Sequence, residues 1–249
     1  MVRLSDMTGY QTDKSVKYLK VYEEYFAPFK DKEITLFELG VFKGGSLLLW
    51  RDYFQNGHIV GLDANPVDIH DSTGRTHIYR GLQQDTALLD RISLEMAPHG
   101  FDVIVDDASH LADPTRIAFW HLFNNHLKPG GIYAIEDWGT GYWQSWPDGR
   151  FFDPKIPKTD NSIVERIWRL EGGKRSLRKL YTLFCYVAKP YSPNHSYGMV
   201  GFVKQLVDEC GMGDITKPGR GISPYRPSKF RKMQISPEVV IVVKTDSPP

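Results

Sequence analysis

Short apolar runs alternate with amphipathic segments through residues 34–135, and this alternation constrains the fold more than any other feature of the chain. The runs that predict strands are residues 34–39, 58–62, 76–79, 101–105 and 132–135. Strand and helix patterns in regular alternation are typical of a parallel, doubly wound α/β sheet with right-handed crossovers. The ends of such strands meet at one edge of the sheet, where ligands bind in open α/β folds.

Two further apolar runs lie near the end of the chain. Residues 230–235 and 239–243 are separated by Ser236, Pro237 and Glu238. A connection this short joins neighbouring antiparallel strands. The sequence therefore predicts a mostly parallel, Rossmann-like sheet with a C-terminal antiparallel hairpin.

The segments that flank the alternating region differ from it in composition. Residues 1–30 predict a polar arm followed by an amphipathic helix. Residues 138–195 interrupt the alternation with aromatic residues, prolines and a basic stretch, and a connection this long predicts a lid or acceptor-binding insertion. We expect residues 1–249 to form a single domain.

Charge and composition exclude several kinds of partner. The 31 basic and 30 acidic residues give a net charge of +1, which argues against a nucleic-acid surface or a polybasic membrane anchor. No apolar run approaches a membrane span, and no signal peptide is visible. The two cysteines, Cys185 and Cys210, form neither a metal spacing nor a disulfide framework. We expect a cytoplasmic protein that forms a homo-oligomer, and a dimer is the expected oligomeric state.

A glycine-rich turn follows the first predicted strand. Gly40, Gly44 and Gly45 allow the backbone to turn sharply and to approach a ligand, and Ser46 is a natural N-cap for the next helix. The spacing is not the dinucleotide fingerprint G-x-G-x-x-G, and Glu38 would repel a pyrophosphate. An acid at this position suits a cationic or hydroxyl-bearing cofactor instead. An ordinary strand-to-helix turn is the alternative.

Polar residues also follow the second and third predicted strands. Asp63 stands where an acid commonly accepts hydrogen bonds from ribose hydroxyls. Gln83 and Asp85 follow the third strand, where an adenine edge could be read. Three successive strand ends thus predict a pocket for a nucleoside-containing cofactor.

Two strands end in adjacent acids. Asp106 and Asp107 follow the strand at residues 101–105, and Glu136 and Asp137 follow the strand at residues 132–135. Carboxylates of this kind are the ligands that Mg²⁺ prefers, so these strand ends predict a metal site. Acids that cap helices or contact the cofactor are the alternative reading.

His110 follows Asp107 by three residues. This spacing lets the imidazole face the same cavity as the acids, where it would serve as a general base. A structural histidine without a chemical role is the alternative.

The order of these features resembles class I methyltransferases that depend on S-adenosylmethionine (SAM). Within that class, several motifs resemble the metal-dependent sugar O-methyltransferases of the macrocin and mycinamicin type. The motifs are FELGVFKGGSLLLW, DVIVDDASH, LKPGGIYAIEDWGTGYW and an opening TDK before a tyrosine-rich helix. The chain length is closer to the mycobacterial 1-O-methyltransferase of methylmannose polysaccharide.

The resemblance implies a role for each candidate residue. The cofactor SAM is expected to contact Glu38, Gly40, Gly44, Ser46, Asp63, Gln83, Asp85 and Asp106. The ion Mg²⁺ is expected to be held by Asp107, Glu136 and Asp137, with His110 as the base and Asp107 as the alternative base.

The expected reaction is methyl transfer to a sugar hydroxyl of a glycoside or oligosaccharide, such as an antibiotic deoxysugar or a methylmannose polysaccharide precursor. Mg²⁺ would chelate two adjacent hydroxyls. Tyr142, Trp143 and Trp146 would stack on the sugar or simply pack the lid. The alternatives are methylation of a catechol-type phenol, a hydroxylase of the cephalosporin hydroxylase group, a nicotinamide oxidoreductase and a non-catalytic binding module.

Overall fold

The fold is described from a computed structural model, which describes residues 3–150, 152, 197–212 and 227–246. Apart from residue 152, these ranges fall within one compact unit, Met1–Arg150 with Ser196–Pro249. Most of the predicted insertion at residues 138–195 lies outside the described residues. Its role therefore stays a prediction.

Seven strands of the described residues form one mixed sheet. The strands are β1 Thr35–Leu39, β2 His58–Asp63, β3 Thr76–Arg80, β4 Phe101–Asp106, β5 Leu127–Glu136, β6 Phe230–Ile235 and β7 Val239–Lys244. Their order across the sheet is β3-β2-β1-β4-β5-β7-β6. The first five strands are parallel, whereas β7 is antiparallel to both β5 and β6. The predicted parallel sheet and its terminal hairpin are confirmed.

Helices connect the parallel strands except β2 and β3, which a loop joins. The α-helices of the described residues are α1 Val16–Phe26, α2 Gly45–Tyr53, α3 Thr86–Met96, α4 Ala112–Asn125 and α5 Gly198–Gly211. Short 3-10 turns span Leu4–Asp6, Ala27–Phe29, Trp138–Tyr142 and Pro147–Gly149. Among the described helices, none combines the length and the apolar character that crossing a bilayer requires.

The sheet is buried on both faces. Along β4, Ile104 belongs to one hydrophobic cluster, and its neighbours Val103 and Val105 belong to the other. Neighbouring side chains of a strand point to opposite faces, so the two clusters lie on the two sides of the sheet. This double burial explains why the parallel strands are continuous apolar runs and do not alternate with polar residues.

One local prediction about the glycine turn is wrong. The N-cap of α2 is Gly44 and not Ser46, because Gly44 adopts a left-handed conformation with φ of 81°. Ser46 lies inside the first turn, and its hydroxyl donates to Oε2 of Glu38 at 2.8 Å. The predicted helix start is therefore two residues too late. The residue before the helix adopts a left-handed conformation, which glycine adopts readily and serine does not.

Candidate active site

A cavity of about 600 Å³ opens at the carboxyl ends of the central parallel strands. Its walls are the loops after β1, β2, β3 and β4, together with residues 11–13. This volume falls within the range of small-molecule sites. The cavity is lined by the predicted cofactor residues Gly40, Ser46, Asp63 and Gln83 and by the predicted catalytic residues Asp107 and His110.

Gly40 allows two of these loops to meet. It has a φ of +83°, and a Cβ atom at this position would lie 2.1 Å from the carbonyl oxygen of Asp107. The backbone N–H of Gly40 donates to Leu62, and that of Asp107 donates to Leu39. The β1 loop therefore packs directly on the β4 loop, and a side chain at residue 40 would separate them.

Asp63 organises the glycine turn as well as lining the cavity. Its Oδ2 accepts from the N–H groups of Val41 at 2.8 Å and Phe42 at 3.0 Å, and its Oδ1 accepts from that of Asn65 at 2.8 Å. Burial raises the pKa of this carboxyl, but these backbone hydrogen bonds outweigh burial and hold it below its usual range. Asp63 is thus a fixed negative charge at the rim.

Glu38 lies beneath the cavity and is not one of its lining residues. The side chain is fully buried, and its Oε2 accepts from Ser46 at 2.8 Å and from Nε1 of Trp50 at 3.2 Å. Burial raises the pKa of the Glu38 carboxyl. Glu38 acts through Ser46, which does line the cavity.

Asp106 is likewise a support for a cavity residue. It is buried, and it accepts from Nε2 of Gln83 at 3.1 Å and from the Tyr133 hydroxyl at 3.2 Å. Burial raises the pKa of Asp106 to about 7. Oε1 of Gln83 in turn accepts from the N–H of Ser109 at 2.9 Å. The pair therefore ties the β3 loop to the β4 loop.

Asp85 is not brought to the cavity lining. It is the N-cap of α3, where its Oδ1 accepts from the N–H of Leu88 at 3.1 Å. The residues of this loop that line the cavity are instead Gly81, Leu82, Gln83 and Gln84. The structure gives Asp85 a helix-capping contact, and its role in binding a cofactor stays a prediction.

A buried lysine stands among the predicted acids. Nζ of Lys14 lies 2.7 Å from Glu136, 2.8 Å from Asp107 and 3.1 Å from Glu38. The sequence interpretation gave this residue no role, although it is the lysine of the TDK motif. Only the TDK motif could have indicated a role for Lys14. Without that motif, a lysine at the end of a polar arm is expected to be exposed to solvent.

The charges around Lys14 stabilise one another. Burial alone would lower the pKa of Lys14, but Glu136, Glu38 and Asp107 raise it well above its usual value. Burial raises the pKa of Glu136 to about 8 despite the nearby ammonium group. Oε1 of Glu136 also accepts from the hydroxyl of Tyr22 at 2.5 Å. Glu136 is therefore held by interior partners.

A second group of ligand atoms is formed by Asp107, His110 and Asp137. One atom from each lies within 4.8 Å of the others. Nε2 of His110 is 3.8 Å from Oδ1 of Asp107 and 4.0 Å from Oδ2 of Asp137. The structure thus brings two of the three predicted metal ligands together with the predicted base, and Glu136 is not in this group. Two carboxylates that leave positions for water and substrate oxygens fit Mg²⁺.

Unusual backbone conformations concentrate at the same edge of the sheet. In the described ranges, the non-glycine residues with positive φ are Phe42 at 51°, His110 at 51° and Asp137 at 50°. They follow β1, β4 and β5 respectively. Bulky residues rarely adopt this region, and such strain is typical of functional sites.

The three predicted substrate aromatics differ in their surroundings. Nε1 of Trp146 donates to the carbonyl of His110 at 3.1 Å, and the two rings lie 6.2 Å apart. Tyr142 packs edge-on against Trp138. Trp143 is 55% exposed. Trp146 therefore supports His110, whereas Trp143 presents its ring to solvent.

Sequence relatives match part of the chain, and no family model matches it. It is 36% identical over 129 residues to a mycinamicin VI 2''-O-methyltransferase of Micromonospora griseorubida, across 49% of this chain and 31% of that protein. It is 36% identical over 149 residues to a rhamnosyl tetracenomycin-C 2'-O-methyltransferase of Streptomyces olivaceus, across 57% and 37%. The chain spans about a third of the length of these relatives.

Solved structures extend the similarity to most of the chain. The methyltransferase MycE of the mycinamycin biosynthetic pathway, in complex with Mg and SAH, matches with a TM-score of 0.64 and 25% identity. The match covers 92% of this chain and 49% of MycE. The chain has the class I methyltransferase fold and is similar in sequence, over about half of its length, to sugar O-methyltransferases of the mycinamicin, macrocin and tetracenomycin type.

Proposed function

We propose that this chain is a SAM-dependent O-methyltransferase that acts on a sugar hydroxyl of a glycoside or oligosaccharide. The observation that carries the proposal is the convergence of Asp107, His110 and Asp137 beside the cavity, whose lining includes Asp107 and His110. The names of the relatives support the choice of a sugar as acceptor, and the Mg and SAH in MycE support the two cofactors.

The proposed cofactor pocket rests on the shape and charge of the cavity. When bound, SAM would supply the methyl group, and Mg²⁺ would make two adjacent sugar hydroxyls more acidic. Asp63 offers an ionised carboxylate at the rim for hydroxyl groups, and Gln83 is held in place by Asp106. Gly40 and Ser46 line the cavity at the glycine turn.

The proposed metal ligands are Asp107 and Asp137, with Glu136 as a third. Oε1 of Glu136 already accepts from Lys14 and Tyr22, so ligation through this oxygen would need those contacts to rearrange. In Asp107 and Asp137 one oxygen of each carboxylate is engaged in the same way, by Lys14 and by the Tyr18 hydroxyl, but the other oxygen of each faces the converging group. We therefore place the centre of the metal site between Asp107 and Asp137.

His110 is the better candidate for the base. Oδ2 of Asp107 already accepts from Lys14 at 2.8 Å, so this oxygen is engaged and does not face the substrate hydroxyl, although burial raises the pKa of the Asp107 carboxyl despite the nearby ammonium group. The imidazole of His110 lines the cavity and lies beside the proposed metal ligands. From there Nε2 would accept the proton of the attacking hydroxyl.

Methyl transfer from labelled SAM to vicinal-diol glycosides tests this function. We expect Mg²⁺-dependent transfer that EDTA abolishes and added Mg²⁺ restores, because the hydroxyls depend on the cation for their acidity. Catechol in place of the glycoside is the control acceptor. Preferred transfer to catechol would overturn the choice of sugar, and full activity in EDTA would overturn the metal site.

Asp63→Asn tests the cofactor pocket. The substitution removes the charge and replaces one of two oxygens that accept from backbone N–H groups with an NH₂ donor, so we expect it to weaken binding of SAH by about 10- to 100-fold or more, the value of a hydrogen bond to a charged group. Calorimetry with SAH measures the change. Asp85→Ala is the matched control: it should cost about 1 kcal/mol of stability as a lost helix cap and leave SAH affinity unchanged. Equal affinities of Asp63→Asn and the unmodified protein would contradict the pocket.

The remaining proposals concern the surroundings of the site. We keep Tyr142, Trp143 and Trp146 as candidate acceptor contacts. Cytoplasmic location, homodimer formation and the absence of nucleic-acid partners stay predictions from the sequence.

A further inference from the structure

A cluster of metal-binding side chains lies outside the proposed active site. Asp90 projects from α3, His121 from α4, and His126 is the C-cap of α4. One ligand atom from each residue lies within 4.8 Å of the others. The N–H of Phe101, the first residue of β4, donates to the carbonyl of His126. The cluster therefore sits at the amino-end edge of the sheet, opposite the cavity.

The two imidazoles converge on a single carboxylate oxygen. Nε2 of His121 lies 2.7 Å from Oδ1 of Asp90, and Nε2 of His126 lies 2.6 Å from the same atom. The two rings are 5.4 Å apart. These hydrogen bonds from His126 and His121 hold the pKa of Asp90 below its usual range. The group therefore holds one carboxylate and two ring nitrogens close together, and a metal ion bound among them would take the place of the ring protons in these hydrogen bonds.

The convergence is fixed by the backbone. The N–H of His126 donates to Leu122 at 2.8 Å, and its carbonyl accepts from Phe101 at 2.7 Å. The side chains of His121 and His126 are only 19% and 15% exposed, whereas that of Asp90 is 47% exposed. Two ligands are thus preorganised, and the third faces solvent, which gives a metal ion a path of entry.

We propose that Asp90, His121 and His126 form a second metal site that binds Zn²⁺. Two imidazoles and one carboxylate are a common ligand set for this ion, and water fills the fourth position. Ligand atoms around tetrahedral Zn²⁺ are separated by about 3.3 Å for bonds of about 2.0 Å. The present separations of 2.6 and 2.7 Å need to widen by less than 1 Å, which a half-exposed Asp90 side chain accommodates. Imidazole ligands disfavour Mg²⁺, so the two proposed sites differ in metal.

Zn²⁺ at this position would join α3 to the junction between α4 and β5. Because the folded chain presents the ligands together and the unfolded chain does not, binding stabilises the fold by mass action. The site is independent of methyl transfer.

Calorimetry with Zn²⁺ in excess Mg²⁺ tests the site, with Co²⁺ absorption as a second readout of histidine ligation. We expect His126→Gln and His121→Gln each to lower Zn²⁺ affinity by more than about 100-fold, since outer-shell changes alone reach that size. The rise in melting temperature with Zn²⁺ should be lost as well. An unchanged far-UV circular dichroism spectrum shows that the variants are folded.

Two control variants separate this site from other histidines. His99→Gln changes an exposed histidine beyond α3, and His110→Asn changes the proposed active site. We expect both to keep the Zn²⁺ affinity and the Co²⁺ spectrum of the unmodified protein. Unchanged Zn²⁺ binding in His121→Gln and His126→Gln, or loss of binding only in His110→Asn, would overturn the proposal while leaving the methyltransferase assignment untouched.

Discussion

Lys14→Met is expected to destabilise the protein by about 3–5 kcal/mol, the cost of removing one partner from a buried ionic group. Lys14 is 6% exposed, and its ammonium contacts three carboxylates, those of Glu38, Asp107 and Glu136. Without it, these acids remain buried side by side with no cation between them. Methionine is unbranched and only one atom shorter than lysine, so the change mainly removes the charge. Urea denaturation in EDTA measures the free energy of unfolding.

A double-mutant cycle distinguishes lost charge balance from lost packing. Adding Glu136→Gln to Lys14→Met removes one of the repelling carboxylates, so the double variant should be more stable than Lys14→Met alone. Lys17→Met changes an exposed lysine of the neighbouring helix and is expected to leave the denaturation midpoint unchanged. If Lys14→Met were as stable as Lys17→Met, the ammonium would not be the group that holds the acids together.

The strands were predictable because most of them are runs of consecutive apolar residues. The run at residues 34–39 became β1 Thr35–Leu39, and the run at residues 101–105 became β4 Phe101–Asp106. Burial on both faces makes each parallel strand apolar throughout, and hydrophobicity alone then marks it. The terminal hairpin was equally clear, since three residues are too few for any crossover.

The partners of the acids were not predictable in the same way. Lys14 is separated by 93 residues from Asp107 and by 122 from Glu136, so no local pattern joins them. Asp85 shows a different limit of prediction, because here the local pattern is clear but fits two roles. An acid after a strand suits a ligand and a helix N-cap equally; the structure shows the capping contact with Leu88, and a contact of Asp85 with the cofactor stays a prediction.

The acids at the strand ends therefore have separate roles. Asp106 supports Gln83 from below, and Glu136 pairs with Lys14 in the interior. Asp107 lies between the Lys14 cluster and the proposed metal site: its Oδ2 contacts Lys14, and its Oδ1 lies toward His110. A cation bound at Asp107 and Asp137 would add to the charge that Lys14 already provides on the other side of Asp107. This arrangement predicts that Asp107 is the residue whose loss affects both stability and activity.

His110→Asn separates the roles of base and metal ligand at the proposed active site. Asparagine tolerates the left-handed backbone of residue 110, where φ is 51°, so the change removes the imidazole without new strain. Loss of a general base should lower methyl transfer by about 10²- to 10⁴-fold. SAH affinity should stay unchanged, and added imidazole should restore part of the activity. Labelled methyl transfer and calorimetry measure these effects.

Binding of Mn²⁺, followed by electron paramagnetic resonance, completes the test because Mn²⁺ suits the same oxygen ligands as Mg²⁺. Asp107→Asn should weaken Mn²⁺ binding as well as activity, since it removes a charged ligand and one of the carboxylates paired with Lys14. His110→Asn should leave Mn²⁺ binding intact if the imidazole acts on the proton. A comparable loss of Mn²⁺ in both variants would make His110 a ligand, as its distances of 3.8 and 4.0 Å from Asp107 and Asp137 also permit. The base would then have to be sought elsewhere in the cavity.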